Sequence, residues 1–247
     1  MAMKRSIRSP VLFAAILSVL LTVPAAAQRS APQSQHEAGV FDYYTLVLSW
    51  SPTYCASMRS PDDDPQCRRT ARPYAFVLHG LWPQYERGFP EYCPTRERPF
   101  VPQRVIDQML DIMPSPRLVI HEYRRHGTCS GLDPAGYFEL SRRLYEKINI
   151  PRRFRLPPAP FFISPQQVVD EFIAANPGLK VEMITVDCRG SGNRLREVRI
   201  CFSREGQFRP CGSNERRAFC RASRMYVPPV RIGGGAGTTK PQGERAL

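Results

Sequence analysis

Three of the four histidines in this 247-residue chain fall in two short segments: His79 in FVLHGLWPQ, and His121 and His126 in HEYRRHGTC. Imidazole is the side chain whose ordinary pKa lets it give and take a proton near neutral pH. Three of them grouped this way suggest proton transfer. His36, the fourth, has no assigned role. The second segment reads as a helix over about 117–127. At about 100° per residue, His121, Arg125, Glu122 and His126 fall at roughly 0°, 40°, 100° and 140° around it. Two imidazoles, a carboxylate and a guanidinium in one arc are costly to bury without purpose. A solvated polar face fits the spacing equally well. Zinc chemistry fits less well. The zincin pattern needs histidines at i and i+4, whereas His121 and His126 are five apart, which suits two groups flanking a substrate better than two chelating one ion.

These residues need a frame. Tyr43–Trp50 (YYTLVLSW) is rich in aromatic and branched residues and predicts a strand. Residues 51–73 read as a loop with an acidic tip, Asp62-Asp63-Asp64. Tyr74–Leu78 predicts a second strand that delivers His79. Apolar spacing predicts helices over 101–113 and from Pro134 to Ile148. Ser164-Pro165-Gln166-Gln167 has the order of a capped helix start, and that helix should stop near Asn176-Pro177-Gly178. Val181–Val186 and Leu195–Phe202 predict a hairpin across Arg189–Asn193. Strands first, helices in the middle and a late hairpin give one α+β domain, a central antiparallel sheet flanked by helices.

Composition narrows the setting. A chain 42% hydrophobic and 10% aromatic folds rather than staying disordered. Lys4, Arg5 and Arg8, an apolar run from Val11 to Val23, and Ala25-Ala26-Ala27 read as a signal peptide over 1–27. Such a run is shorter than the ~20 residues of a membrane span. Export to the periplasm or the extracellular space follows, with no transmembrane segment in the mature chain. Removing residues 1–27 leaves 32 Lys+Arg against 22 Asp+Glu, a formal +10. Ten Arg against three Glu crowd residues 189–224. Such a basic segment suggests an anionic partner: a nucleic acid, an anionic surface or an acidic polymer. Eight cysteines without a C-x-x-C pair read, in an exported protein, as four disulfides rather than a zinc ribbon. Counting leaves their pairing open among 105 arrangements. Residues 28–40 read as a flexible leader and 231–247 as a disordered tail.

FDYYTLVLSWSPTYC (41–55), FVLHGLWPQ (76–84) and HEYRRHGTC (121–129) together resemble the ribonuclease T2 family of secreted endoribonucleases. The resemblance runs from about Phe41 to Arg224 and makes 41–230 the catalytic domain. It implies cleavage of single-stranded RNA by attack of the 2′-hydroxyl on the adjacent phosphorus, with low base specificity and no metal or cofactor. DNA lacks that hydroxyl and should resist. By similarity His126 is the general base and His79 the general acid. His121 holds the phosphate, and Glu122 and Arg125 stabilise charge at phosphorus. Trp82, Gln84 and Tyr85 are the implied base-binding residues, with Tyr92 a weaker stacking candidate. The implied pairs are Cys93–Cys129, Cys188–Cys220 and Cys201–Cys211, leaving Cys55–Cys67. The chain is expected to be a monomer. It departs from the family pattern in carrying Arg125 for Lys, Tyr123 for Trp, and Gln84 where an acid is common. Two rivals remain: a non-catalytic RNA- or anion-binding protein, against which the intact histidines argue, and a metallohydrolase, against which their spacing argues.

Overall fold

Tyr43–Trp50 forms the central strand β1 in the computed structural model, which describes residues 36–68 and 70–231. All of β1 except Ser49 is buried. Such continuous burial means that both faces of the strand are covered. β1 pairs antiparallel with β2 (Phe76–Gln84) on one side and with β5 (Glu197–Phe202) on the other. Strand β4 (Ile184–Asp187) completes the sheet in the order β2-β1-β5-β4. Helices α2 (Gln103–Met109), α3 (Pro116–Arg125) and α4 (Pro134–Glu146) follow β2 in the chain, and α3 and α4 contact it. Helix α5 (Pro165–Ala175) and the short α6 (Ser213–Ala218) pack on β4. The result is a single α+β domain with a central antiparallel sheet. The ring of Trp50 anchors the core against Phe76 and Phe154, at 4.9 and 6.2 Å. Its indole N–H donates to the Pro228 carbonyl at 3.1 Å, tying down the last described segment.

Several elements differ from the sequence expectation. The loop expected over 51–73 begins with a short helix, α1 (Ser51–Ser57), and contains a 3-10 turn at Pro61–Asp63. Prolines stand near the start of both, where their fixed φ favours a helical turn. The second strand does not end at Leu78; it runs on through Gln84, because every residue of Phe76–Gln84 except the bulged His79 finds a partner on β1. The helix expected from residue 101 starts at Gln103, since Val101 precedes Pro102 and is driven to extended backbone. Val181–Met183 is a 3-10 turn, so β4 starts only at Ile184. Short strands β3 (Phe161–Ile163) and β6 (Met225–Val227) pair in a second sheet that sequence spacing does not reveal. The start of α5 is a full capping box: Ser164 Oγ accepts from Gln167 N–H, and Gln167 Oε1 accepts from Ser164 N–H.

Four disulfides staple the fold: Cys55–Cys67, Cys93–Cys129, Cys188–Cys220 and Cys201–Cys211. The last residues of the expected leader are held in place. Gly39 N–H donates to the Cys129 carbonyl at 3.0 Å, and His36 Nδ1 accepts from Glu91 N–H at 3.0 Å. The expected signal peptide, the leader up to residue 35 and the tail from residue 232 lie outside the described residues. Among the described residues, no helix is long and apolar enough to cross a membrane.

Cys93–Cys129 joins the segment after β2 to the turn that ends α3. Replacing both cysteines by alanine should lower the thermal midpoint by about 5–15 °C, from the ~2–5 kcal/mol typical of a native disulfide. It should also reduce turnover by loosening the end of α3. Calorimetry and activity on one preparation check both; an unchanged midpoint and rate refute the role.

Candidate active site

A β-bulge presents His79. Across the β1–β2 ladder Val47 faces Gly80 while Leu48 faces Leu78, so His79 is the extra residue. In a regular strand His79 and Trp82, three apart, would point to opposite faces. The bulge re-aims the imidazole, and His79 and Trp82 meet edge to face with ring centres 5.2 Å apart.

Helix α3 lies over this face of the sheet. Its Glu122 is only 1% exposed. The carboxylate accepts the Trp82 indole N–H at 2.7 Å, and its other oxygen lies 3.5 Å from His79 Nε2. Gly80 makes this approach possible, because a Cβ there would sit 2.0 Å from Glu122 Oε2. His126 caps α3 and is buried, its ring stacked on Trp82 at 4.9 Å. The polar arc expected on this helix therefore divides. Glu122 and His126 turn inward, while His121 and Arg125 stand at the rim of a cavity of about 170 Å³. Arg125 is held by Glu91, with two of its nitrogens 2.9 Å from Oε2.

Two further residues complete the cluster, and neither was read from the sequence. Glu197 and Arg199 are two apart on β5, hence on one face. Glu197 Oε1 lies 3.1 Å from His79 Nδ1, across the intervening β1. Arg199 binds Glu197 at 2.7 Å and Asp187 at 3.3 Å, and its guanidinium lies over the Trp82 ring at 5.2 Å. An alternating charged pair on a strand ordinarily marks a solvated face. Only the strand order shows that these two face His79.

The surroundings drive the two inner histidines apart. Burial works against the charged form of His79, but Glu122 and Glu197 outweigh it and raise the pKa. His126 has no carboxylate to offset burial. Burial, then the positive Arg125, His79 and His121, push it down to about 2. Its Nδ1 has no hydrogen-bond partner among the described residues. Burial lifts Glu122 to about 6, against the pull of His79 and the indole N–H. Burial opposes ionisation of Glu197 as well, yet His79 and Arg199 hold it at about 2. Partial burial, then Arg125, lowers His121. One imidazole inclined to keep its proton and another inclined to lack it are the parts of an acid–base pair.

The residues implied as base-binding are placed less simply. Trp82 lines the cavity, but its ring already contacts His126, His79 and Arg199, and its N–H is taken by Glu122. The half-buried indole thus touches both inner histidines while still lining the cavity. Gln84 is buried at the cavity wall, with its Oε1 accepting from Asn214 Nδ2 at 3.0 Å. Tyr85 is half-buried against the core and does not line this cavity. Tyr92 is exposed beside Arg125, whose carbonyl accepts its N–H at 2.8 Å. Phe89, 42% exposed at the cavity mouth, is the aromatic ring left open there. It sits in a loop without periodic pattern and was not singled out from the sequence.

Comparison with known proteins places the chain in a family. Residues 41–211 match the model of the ribonuclease T2 family. A ribonuclease of Aeromonas hydrophila is 38% identical over 190 residues, covering 72% of this chain and 79% of that one. Ribonuclease I of Escherichia coli is 26% identical over 240 residues, covering 81% and 89%. Among solved structures, an RNase-related protein from Calystegia sepium superposes with a TM-score of 0.59 at 23% identity, covering 79% of this chain and 99% of that one. This last likeness speaks for the fold. With the family model spanning most of the described domain, the chain belongs to the ribonuclease T2 family and is an RNA-cleaving enzyme.

Proposed function

We propose that this enzyme cleaves single-stranded RNA by metal-independent transphosphorylation. The observation that carries the reading is the convergence of His79, His121, Glu122, Arg125 and His126 on one cavity, and the opposite protonation tendencies of His79 and His126 support it. Neutral His126 takes the proton of the 2′-hydroxyl. The 2′-oxygen bonds to phosphorus and the bond to the 5′-oxygen breaks. Protonated His79 donates to that departing oxygen. The products are a 2′,3′-cyclic phosphate and a free 5′-hydroxyl. Water then opens the ring to a 3′-phosphate, with the two histidines in reversed roles. His121 and Arg125, at the cavity rim, hold the phosphate oxygens. Glu122 keeps His79 charged and, through Trp82, keeps the stacked His126 in place.

Low base specificity is part of the proposal. The amides of Gln84 and Asn214 hold each other, and Asn214 also holds Gly88, which leaves Phe89 as a stacking surface. A stacking ring accepts any base. We also propose that the mature chain, exported after removal of residues 1–27, works as a monomer in the periplasm or extracellular space. Four disulfides support an oxidising compartment.

The mature protein incubated with RNA and excess EDTA should cut it fully and leave cyclic-phosphate ends, while DNA stays intact. His79→Ala and His126→Ala should each lose about 10²–10⁴-fold in rate with the fold retained by circular dichroism. Loss of cleavage on chelation, or wild-type rates in both variants, would overturn the mechanism.

The pH profile gives a separate check. His79 acts as acid only while protonated, and its neighbours raise its pKa, so activity should fall on the alkaline side as that proton is lost. In Glu197→Gln a negative charge beside the ring is gone, the pKa drops, and the alkaline limb of kcat/KM should move to lower pH. An unmoved limb would assign it to another group.

A further inference from the structure

His79 borders more than the small cavity. It also lines a cleft of about 380 Å³, walled on one side by Thr53 and Tyr54 of α1 and on the other by Arg189, Arg194 and Arg196 from the β4–β5 connection. We propose that this cleft is a subsite for the phosphate that follows the leaving nucleoside, one position 3′ to the bond that is cut. The proposal rests on the RNA-cleaving reading above.

Direction comes from the chemistry. The acid His79 protonates the 5′-oxygen of the leaving nucleoside, so that nucleoside lies on the His79 side of the scissile phosphate. Its own 3′-phosphate is the next negative charge along the strand. The cleft starts at His79 and carries unmatched positive charge. Arg189 is neutralised by Asp187 at 2.6 Å. Among the described residues no carboxylate lies within 4.0 Å of Arg194 or Arg196. Glu197, the carboxylate in the same wall, is engaged by His79 and Arg199.

The wall is held before any ligand arrives. Arg196 N–H donates to the Asp187 carbonyl and Leu195 N–H to the Tyr226 carbonyl, both at 3.0 Å, and Tyr226 N–H returns to Asn193 at 2.9 Å. Cys188–Cys220 pins the start of the connection. The turn itself needs left-handed backbone at Gly190, Gly192 and Asn193. One guanidinium nitrogen of Arg196 is fixed on the Arg189 carbonyl at 2.9 Å, and the Arg194 guanidinium rests over the Tyr226 ring at 5.1 Å. Two placed cations suit a phosphate oxygen set.

Position separates these two arginines from others in the same basic segment. Arg199 is bound by Glu197 and Arg209 pairs with Glu86. Of the segment's arginines without a carboxylate partner among the described residues, Arg194 and Arg196 line the cleft beside His79.

Two substrates test the subsite: a dinucleoside monophosphate, and the same molecule with a 3′-terminal phosphate. The unaltered protein should cut the phosphorylated one with the higher kcat/KM. In Arg194→Ala/Arg196→Ala that advantage should fall by about tenfold, the scale of one charge-assisted contact. The effect should lie mainly in KM, with cleavage of the unphosphorylated substrate unchanged. Arg194→Lys/Arg196→Lys should restore part of it, and the single Arg196→Ala, at an exposed position, gives the same test with least risk to folding. Equal cleavage of both substrates by the unaltered protein, or an equal loss on both in the variant, overturns the subsite alone. No cleavage of either substrate by the unaltered protein overturns the RNA-cleaving reading and the subsite with it.

Discussion

The buried carboxylate of Glu122 is the interaction on which the site depends. A carboxylate removed from water needs partners, because an unpaired buried charge is among the most expensive things a fold can contain. Here the partners are the Trp82 indole and the His79 imidazole, both from β2. The contact fixes how α3 sits on the sheet, and α3 in turn supplies His121, Arg125 and His126. Gly80 belongs to the same constraint, since any side chain there would occupy the place of the carboxylate oxygen. The HGLW and HE segments are thus two halves of one contact.

A second constraint acts from the other edge of the site. His79 stands in a bulge and would have wide freedom of direction without a partner on its far nitrogen. Glu197 supplies it, and Arg199 with Asp187 keeps Glu197 ionised and in place. The imidazole lies between two carboxylates, and His126 has none. Proton affinity at the two histidines is set by what each is packed against, since the side chains themselves are identical. The stacked Trp82 connects them, touching both rings while bonding Glu122.

The basic character of the chain also acquires a local meaning. A formal charge of +13 suggests an anionic partner but cannot say where it binds. Some of the arginines are neutralised within the fold: Arg142 on Asp111, Arg153 on Glu171, Arg189 on Asp187, Arg209 on Glu86. Charge that meets a neighbouring carboxylate contributes little field at a distance. What counts for the site is which of the cations without such a partner stand beside His79.

Local features were legible in the residues alone. The grouping of His79, His121, Glu122, Arg125 and His126 is visible because each motif lies within one strand or one helix and its turn. The same holds for the β1 strand and for the Ser164–Gln167 cap, whose hydrogen bonds span three residues. Features that depend on distant pairing were not legible. The bulge at His79 exists only against β1, and Glu197 and Arg199 join the site only through the order β2-β1-β5-β4. That the Trp82 ring meets both His126 and Arg199 was likewise not legible, since those residues come from α3 and β5. The sequence by itself determined which groups could carry the proton chemistry, since that is a property of residue type and short spacing. Tertiary structure alone decided which histidine favours its proton and which arginines remain unmatched, because both depend on burial and on charges contributed from the far end of the chain.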